Sequence, residues 1–218
     1  MLGVHEWEGL YPFAPEAWLI PQQLPIHPSR MWCFARQVYM SMCWLYGHRA
    51  VTVIDPLLRE IRSELYPVPY DDVDWIKNRG TIAECDSRRP RSRVLKVAFA
   101  ALNLYEAHPS RVLRARAMDS VLDHIDHENR NSNYVGNGPI PKFLDTLVWH
   151  FARPDGDEIA SHVKRLPDYL WDAADGTRVQ CYNSCETWDT AFAVQALVES
   201  RHSGPCAARP DTWSAIRN

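Results

Sequence analysis

The sequence predicts an all-α protein, and three observations support this fold class. Apolar side chains recur every three or four residues over several long stretches, the spacing of a helix with one buried face. Short polar segments containing proline, glycine, serine or aspartate separate these stretches. No run typical of a strand is longer than four residues. With 46% hydrophobic residues and nine tryptophans among 218 residues, the chain can build a large core.

A long aromatic helix is predicted from His27 to Tyr46. Pro28 suits the first turn of a helix, Ser29 can accept from a free backbone N–H, and Gly47 is a typical stop. The apolar side chains that share one face are Trp32, Ala35, Tyr39, Met42 and Tyr46. Such a face lines either a packed core or a wide apolar cavity, and the pattern alone favours the core.

The other elements follow from helix signals along the chain. The proline-rich first 28 residues exclude a long helix and leave room for one short helix at Glu16–Leu19. Asp55 and Ser110 are predicted to cap the helices that follow them. The predicted helices cover residues 55–65, a short segment from 71 or 72, 93–108, 110–125, 140–151, 157–169 and 188–200, with an arginine-rich loop at 79–91. The short connection at 107–110 predicts that the helices on either side run antiparallel.

Charge and composition exclude several classes of protein. A net charge of −3 argues against a nucleic acid partner, since phosphate binding needs a basic surface. Glu6 and Glu8 interrupt the N-terminus, so no signal peptide is predicted. No run reaches the roughly 18 to 20 apolar residues that span a bilayer, so any membrane contact is expected to be monotopic. Six cysteines without the spacing of a small disulfide scaffold indicate reduced thiols in a cytosol-facing protein.

A series of motifs in one order resembles a known enzyme family. The stretch from His27 to Gly47, HPSRMWCFARQVYMSMCWLYG, is similar to the HPxxMWCHCRxVYLPMSYLYG segment of the oxidosqualene cyclases, which include lanosterol, cycloartenol and β-amyrin synthases. The other similar motifs are VHEWEG at 4–9, PEAWLIP at 15–21, DPL at 55–57, RSELY at 62–66, DW at 74–75, GPIPK at 138–142, PDYLW at 167–171 and WDTAFAVQAL at 188–197. Together they cover roughly residues 1–200.

This resemblance implies two α/α barrels that face one central cavity. Residues 1–170 would form part of the first barrel, residues 171–200 would begin the second, and residues 201–218 would be a divergent tail. Neither barrel would be complete within this chain. Without the resemblance, apolar stripes joined by short loops already favour a barrel of paired helices over a four-helix bundle.

The resemblance also implies a chemistry. In that family an acid protonates the epoxide of (3S)-2,3-oxidosqualene, and rings close through carbocations in a dry cavity lined by aromatic faces. The cavity residues implied here are Trp32, Phe34, Tyr39, Pro139, Ile140, Tyr182, Asn183 and Trp188. For each aromatic residue the alternative is an ordinary place in a core. No cofactor is implied. The implied partners are the lipid substrate and a membrane, contacted peripherally at the endoplasmic reticulum or a lipid droplet in a eukaryote.

Several positions depart from the family pattern. Phe34 stands where lanosterol and cycloartenol synthases carry histidine and several plant triterpene synthases carry tyrosine, so this position offers a π-face and no proton acceptor. Ala35 replaces the usual cysteine and opens space. In the segment before Trp188 the family glycine and glutamine are Ser184 and Glu186. Standard sterol synthesis is therefore not expected.

The motif that carries the family's acid is absent from this sequence. No Asp-Cys-Thr-Ala-Glu string occurs, and the family pattern is lost after Ser200, so no catalytic residue is assigned. We interpret the sequence as an internal or truncated piece of a cyclase. The alternative is a non-catalytic or degenerate lipid-binding α-barrel. A barrel glycosidase is disfavoured, because the carboxylates fall mainly in loops and at helix ends.

Two clusters resemble metal ligands, but neither predicts a metal site. Cys181 and Cys185 have no second pair nearby, and a closed zinc site needs four ligands. The run from Asp123 to Glu128 points round much of a helix, which indicates a solvated helix end.

Overall fold

The computed structural model describes residues 1–86, 92–180 and 186–200, without the side chains of residues 84, 186–189 and 200. Within these residues the protein is mostly helical, which confirms the predicted class at that level. The helices are α1 (Cys33–His48), α2 (Pro56–Leu65), α3 (Arg93–Ala107), α4 (Arg111–Asn131), α5 (Pro139–Ala152), α6 (Asp157–Lys164) and α7 (Glu186–Ser200). The strands β1 (Leu170–Ala173) and β2 (Gly176–Val179) form one antiparallel hairpin.

The N-terminal 30 residues form short 3₁₀ turns at Trp7–Gly9, Pro15–Leu19 and Pro28–Arg30. Two of the three turns begin at a proline, because the fixed φ of proline suits the first turn of a helix and its missing N–H costs nothing there. The short helix predicted at Glu16–Leu19 therefore exists as a 3₁₀ helix.

The start of α1 differs from the prediction. Pro28 belongs to a separate 3₁₀ turn, and α1 begins only at Cys33. Ser29 does not cap the helix. Instead, its backbone N–H donates to Nδ1 of His27 at 3.0 Å. The histidine ring thus takes the acceptor role that the sequence assigned to the serine.

The end of α1 also differs. Gly47 lies inside the helix, and the cap is Arg49, which adopts the left-handed conformation at φ 54°. A Cβ on Gly47 would lie 2.5 Å from Sδ of Met118 on α4 and 3.0 Å from Cγ of Pro15. Gly47 is therefore required for close packing rather than for helix termination.

Sequence signals placed α2, α3 and the start of α4 well, but α4 continues to Asn131, past the predicted end at 125. Oδ1 of Asp55 accepts from the N–H of Leu58 at 2.8 Å, and Oγ of Ser110 accepts from the N–H of Leu113 at 3.4 Å. Ser92 caps α3 in the same way. The predicted helix over 157–169 is shorter than expected, because α6 ends at Lys164 and a 3₁₀ helix at Leu166–Tyr169 leads into the hairpin.

The core lies where α1 packs between α4 and α5. Gln37 near the start of α1 bonds Glu128 near the end of α4, whereas Gly47 contacts Met118 nearer the start of α4, so these helices run antiparallel. The buried apolar side chains of this core are Trp7, Trp18, Met40, Cys43, Trp44, Leu45, Tyr46, Ala50, Val121, Ile125, Val148 and Trp149. The predicted apolar face of α1 is correct at Tyr46 but wrong at Ala35, which is exposed together with Trp32.

Helix α3 has no buried residue. Polar contacts attach it to the rest of the molecule: Arg114 of α4 pairs with Glu106, and Tyr105 donates to Glu16 at 3.0 Å. Among the residues that the structure describes, no helix is both long and apolar enough to cross a membrane.

Candidate functional site

One group of aromatic side chains lies at the start of α1. Trp32 occupies the N-cap position, and its side chain is 61% exposed. Its ring stacks on that of Phe34, with centroids 5.5 Å apart and planes at 25°. A stacked pair held in this way presents the face of one ring to solvent or to a ligand.

Phe34 joins α1 to the start of α5. Its ring packs on Gly138, because a Cβ built on that glycine would lie 2.3 Å from Cε2 of the phenylalanine. Pro139 and Ile140 follow as the first residues of α5, and Ile140 is exposed. The stacked pair Trp32 and Phe34 thus adjoins the start of α5 at Gly138, and we call the region of Trp32, Phe34, Pro139 and Ile140 the aromatic surface.

Tyr39 lies deeper in the molecule. Its ring is 5.8 Å from that of Phe13 and 6.4 Å from that of Trp18, between centroids. Burial raises the pKa of the Tyr39 phenol well above its usual value, and proximity to Cys43 raises it further, so the hydroxyl stays protonated at neutral pH. These surroundings are those of a core residue, and a role for Tyr39 at a substrate channel stays a prediction.

Three predicted cavity residues are not covered. Tyr182 and Asn183 lie outside the described residues, as do Cys181 and Cys185. For Trp188 only the backbone is described, within α7. A shared concave surface formed by Trp32, Tyr39 and Trp188 therefore stays a prediction.

The acidic and histidine-rich end of α4 makes ordinary local contacts. Nδ1 of His124 lies 2.7 Å from the carbonyl oxygen of Ser120, and Asp126 pairs with Arg130 at 2.9 Å. Over the described ranges no group of three or more histidine, cysteine, aspartate or glutamate side chains could hold a metal ion. This region has the contacts expected of a solvated helix end.

A buried polar cluster was not anticipated from the sequence. Lys142 is 1% exposed, and its Nζ donates to the carbonyl oxygen of Tyr134 at 2.6 Å, and to the carbonyl oxygen and Nδ1 of His162 at 2.9 Å each. The ammonium thus uses all three of its protons. Burial lowers the pKa of Lys142 to about 8, and burial with the nearby lysine lowers the pKa of His162 to about 3.

Asp145 lies one turn further along α5. It is buried, and Oδ1 accepts a hydrogen bond from Oγ of Ser41 on α1. Burial raises the pKa of Asp145 to about 7, which the Ser41 bond and Lys142 only partly oppose. The sequence showed Lys142 inside a family motif but gave no sign of burial, since a charged residue in the first turns of a helix usually reaches solvent.

Comparison with known proteins identifies the family. Residues 1–173 match the model of the squalene-hopene cyclase N-terminal domain. The chain belongs to this family. Over 201 residues it is 42% identical to lanosterol synthase of Homo sapiens, covering 92% of this chain and 28% of that protein.

Other relatives give the same result. The chain is 36% identical to cycloartenol synthase of Dictyostelium discoideum over 199 residues, which are 91% of this chain and 28% of the relative. It is 33% identical to protostadienol synthase A of Aspergillus fumigatus over 218 residues, which are 100% of this chain and 29% of the relative. The resemblance noted in the sequence is confirmed. This member of the squalene-hopene cyclase N-terminal domain family spans less than a third of the length of these relatives.

Proposed function

We propose that this chain forms part of an oxidosqualene cyclase and supplies one side of the cavity in which (3S)-2,3-oxidosqualene is cyclised. The observation that carries this proposal is the aromatic surface, assembled from the start of α1 and the start of α5 in a chain of this family. Two segments roughly a hundred residues apart in sequence are held together to present aromatic and apolar groups rather than polar ones.

The proposed chemistry needs such a surface. An acid opens the epoxide, and each ring closure leaves a carbocation that water would trap, so the cavity must be dry. An aromatic face stabilises a nearby cation by about 0.5 to 2 kcal/mol. The stacked rings of Trp32 and Phe34 offer such faces, and the exposed side chain of Ile140 offers hydrocarbon contact.

Phe34 also bears on the product. A phenylalanine has no group that can accept or orient a proton. We propose that the last cation is not deprotonated with help from residue 34, and that the product differs from the standard sterols.

We propose that residues 1–170 belong to the first α/α barrel, that 171–200 begin the second, and that 201–218 form a divergent tail. The family match ends at residue 173, close to the first boundary. The order of packing supports a barrel, because α1 runs antiparallel to α4 but in the same direction as α5, where Phe34 contacts Gly138 and Ser41 contacts Asp145. Neighbouring helices that alternate in direction in this way are typical of an architecture built from paired helices.

A membrane is the proposed source of the substrate. Oxidosqualene is a hydrocarbon chain with one epoxide, so it partitions into lipid. We propose that the protein contacts a membrane surface peripherally, as a monotopic protein of the endoplasmic reticulum or of lipid droplets. The exposed apolar side chains at Trp32 and Ile140 suit the transfer of such a lipid.

The second candidate function is a non-catalytic lipid-binding α-barrel. It needs only the apolar and aromatic groups of the aromatic surface and no proton donor. General acid catalysis needs a group placed at the epoxide. The two candidates share the aromatic surface and differ in whether a proton donor is supplied.

Incubation with oxidosqualene tests the proposal. The purified chain alone should give no tetracyclic or pentacyclic product, and any enzyme-dependent product would show that an acid has been overlooked. Coexpression with the remaining part of human lanosterol synthase should restore cyclisation if the chain is a cyclase segment. Trp32→Leu should then lower the rate by about two- to thirtyfold, the range that corresponds to one cation–π contact, whereas the exposed control Val53→Ala should not.

A further inference from the structure

Helices α1 and α5 contact one another at two points with matching spacing. The ring of Phe34 packs on Gly138, and Oγ of Ser41 donates to Oδ1 of Asp145. Both pairs are seven residues apart, Phe34 to Ser41 on α1 and Gly138 to Asp145 at α5. Seven residues are about two helical turns, so both contacts lie along one line between the helices. The polar contact and the aromatic contact therefore share one register.

The start of α5 is also held from its other side. The three hydrogen bonds of Lys142 tie it to Tyr134, in the loop that leads to Gly138, and to His162 on α6. The backbone N–H of Lys142 donates to the carbonyl oxygen of Gly138 at 3.0 Å. Lys142 thus anchors the segment that carries Gly138, while Asp145 links the same helix to α1.

Asp145 has few neighbours that compete for its carboxylate. The charged and polar groups that face it are Ser41 from α1, Lys142 from its own helix and Glu128 from α4. Glu128 is itself held by α1, where Nε2 of Gln37 donates to it at 3.3 Å and Arg36 lies at 3.8 Å. Lys142 donates its three protons to Tyr134 and His162. Among the described residues, the hydrogen bond from Ser41 is therefore the direct polar contact between Asp145 and α1.

We propose that Ser41 and Asp145 are positioning residues, and that their buried hydrogen bond holds α1 and α5 in the register that presses Phe34 onto Gly138 and so shapes the aromatic surface. The consequence for substrate rests on the proposed function, because it treats that surface as part of the cyclisation cavity. A displacement of α1 along α5 would change the spacing between Phe34 and Ile140. Reactions that depend on placed groups lose rate steeply with such displacements.

The test uses nuclear magnetic resonance on the whole 218-residue chain. An α-proton of Gly138 lies against the Phe34 ring, so its resonance carries a ring-current shift, and Phe34→Leu marks the value without that ring. Ser41→Ala removes the donor, and Asp145→Leu removes the acceptor at similar volume. Both should lose the ring-current shift. Asp145→Asn keeps a carbonyl acceptor for Ser41, so it should retain the shift.

The pH profile separates this role from plain packing. In the parent chain the Gly138 resonance should titrate with the carboxyl of Asp145, whose pKa burial raises to about 7. Asp145→Asn should abolish that step and leave the separate step of Lys142, whose pKa burial lowers to about 8. The exposed control Asp119→Asn should leave both steps unchanged. If Ser41→Ala or Asp145→Leu does not fold, the titrations of the parent and of Asp145→Asn still decide the proposal, because neither depends on those two variants.

The outcomes bear on this proposal and on the proposed function separately. A parental shift in both Ser41→Ala and Asp145→Leu, or an unchanged titration in Asp145→Asn, would overturn the positioning role and leave the cyclase assignment untouched. Addition of squalene in detergent micelles gives the second readout. A shift of the Ile140 methyl resonances that weakens in Ser41→Ala supports the link to substrate, whereas no shift in any chain would count against the aromatic surface as a hydrocarbon site while the register result stands.

Discussion

At the scale of single residues, glycine at position 138 is required by its neighbour rather than by its backbone. Its φ of 175° is extended backbone that any residue adopts. A side chain there would collide with the ring of Phe34, whose Cε2 lies 2.3 Å from the place of a Cβ. The aromatic surface therefore depends on the absence of one methyl group.

Gly138→Ala should destabilise the protein by about 1 to 3 kcal/mol, the usual cost of an extra methyl group in a tightly packed site. Urea denaturation of four proteins gives the measurement: the parent, Gly138→Ala, Phe34→Ala and the double variant. In the double variant the alanine should cost much less, because the ring that it meets is gone. Equal costs in both backgrounds would show that the contact with Phe34 does not decide the choice of glycine.

Asp145 should give the stability of the fold an unusual dependence on pH. Burial raises the pKa of Asp145 from an ordinary value of 3.8 to about 7. Between these values the folded protein keeps a proton that the unfolded chain has lost, so rising pH weakens the fold by up to about 4 kcal/mol at this site. His162 acts oppositely, because its pKa is lowered from 6.5 to about 3 and stability is gained as pH rises through that range.

Asp145→Asn should remove the first of these two effects and leave that of His162. Relative to the parent, the variant should become progressively more stable as pH rises from about 4 to about 7. Denaturation curves across that range measure the difference, with the surface variant Asp119→Asn as control. A difference that stays constant with pH would show that Asp145 is ionised to the same extent in the folded and unfolded states.

At the scale of elements, local signals in the sequence predicted helix starts better than helix ends. Asp55 and Ser110 cap the helices expected of them, because a cap depends on residues three positions away. The predicted stop of α1 at Gly47 was wrong, because this glycine makes room for Met118, which lies on another helix. The burial of Lys142 and Asp145 was missed for the same reason: their partners are remote in sequence, and polar residues carry no apolar pattern to reveal them.

Helix α3 is held by charged contacts and by the ring of Phe99 against Tyr11, with centroids 4.2 Å apart. None of its apolar side chains is buried, and Arg114 bridges Glu106 on α3 and Glu16, with N–O distances of 2.5 and 2.6 Å. The side chains of Glu16 and Glu106 are only 14% and 8% exposed, so each needs its partner.

Arg114→Met should loosen α3 selectively. Glu16 would lose its arginine, and Glu106 would keep only Arg49 at 3.5 Å. This should lower the free energy of local opening at residues 93–107 by about 1 to 3 kcal/mol. Hydrogen exchange should show faster amide exchange there than in α1 and α5. Arg111→Met is the matched control, because Arg111 is an exposed arginine on α4, the helix that carries Arg114. Uniform loss of protection across all helices would mean that Arg114 supports the whole core instead.

At the scale of the whole molecule, a large apolar area faces solvent on the last described helix. Phe192 on α7 is 65% exposed, and Val194 and Leu197 on the same helix are exposed as well. In a barrel of paired helices such a face would pack on a neighbour. Each large side chain left in water forgoes burial of roughly 2 kcal/mol. Against a typical stability of about 5 to 15 kcal/mol, a few such losses are decisive.

The isolated chain is therefore expected to bind anilinonaphthalene sulfonate or lipid vesicles at this face. Phe192→Ser should reduce dye fluorescence, and Val53→Ser, a change at an 87% exposed position, should not. A monomeric sample that unfolds cooperatively and binds no dye would show that the chain is a self-sufficient domain.

The parallel pairing of α1 with α5 also determines when the core can close during synthesis. Ser41 and Asp145 are 104 residues apart, and the buried side chains of α1 face helices that follow it late in the chain. A ribosome adds about 5 to 20 residues per second, so α5 emerges roughly 5 to 20 s after α1. Through that interval the side of α1 that carries Ser41 remains open to solvent or to a chaperone. Synthesis rate across residues 50–140 should thus influence how much chain reaches the native state.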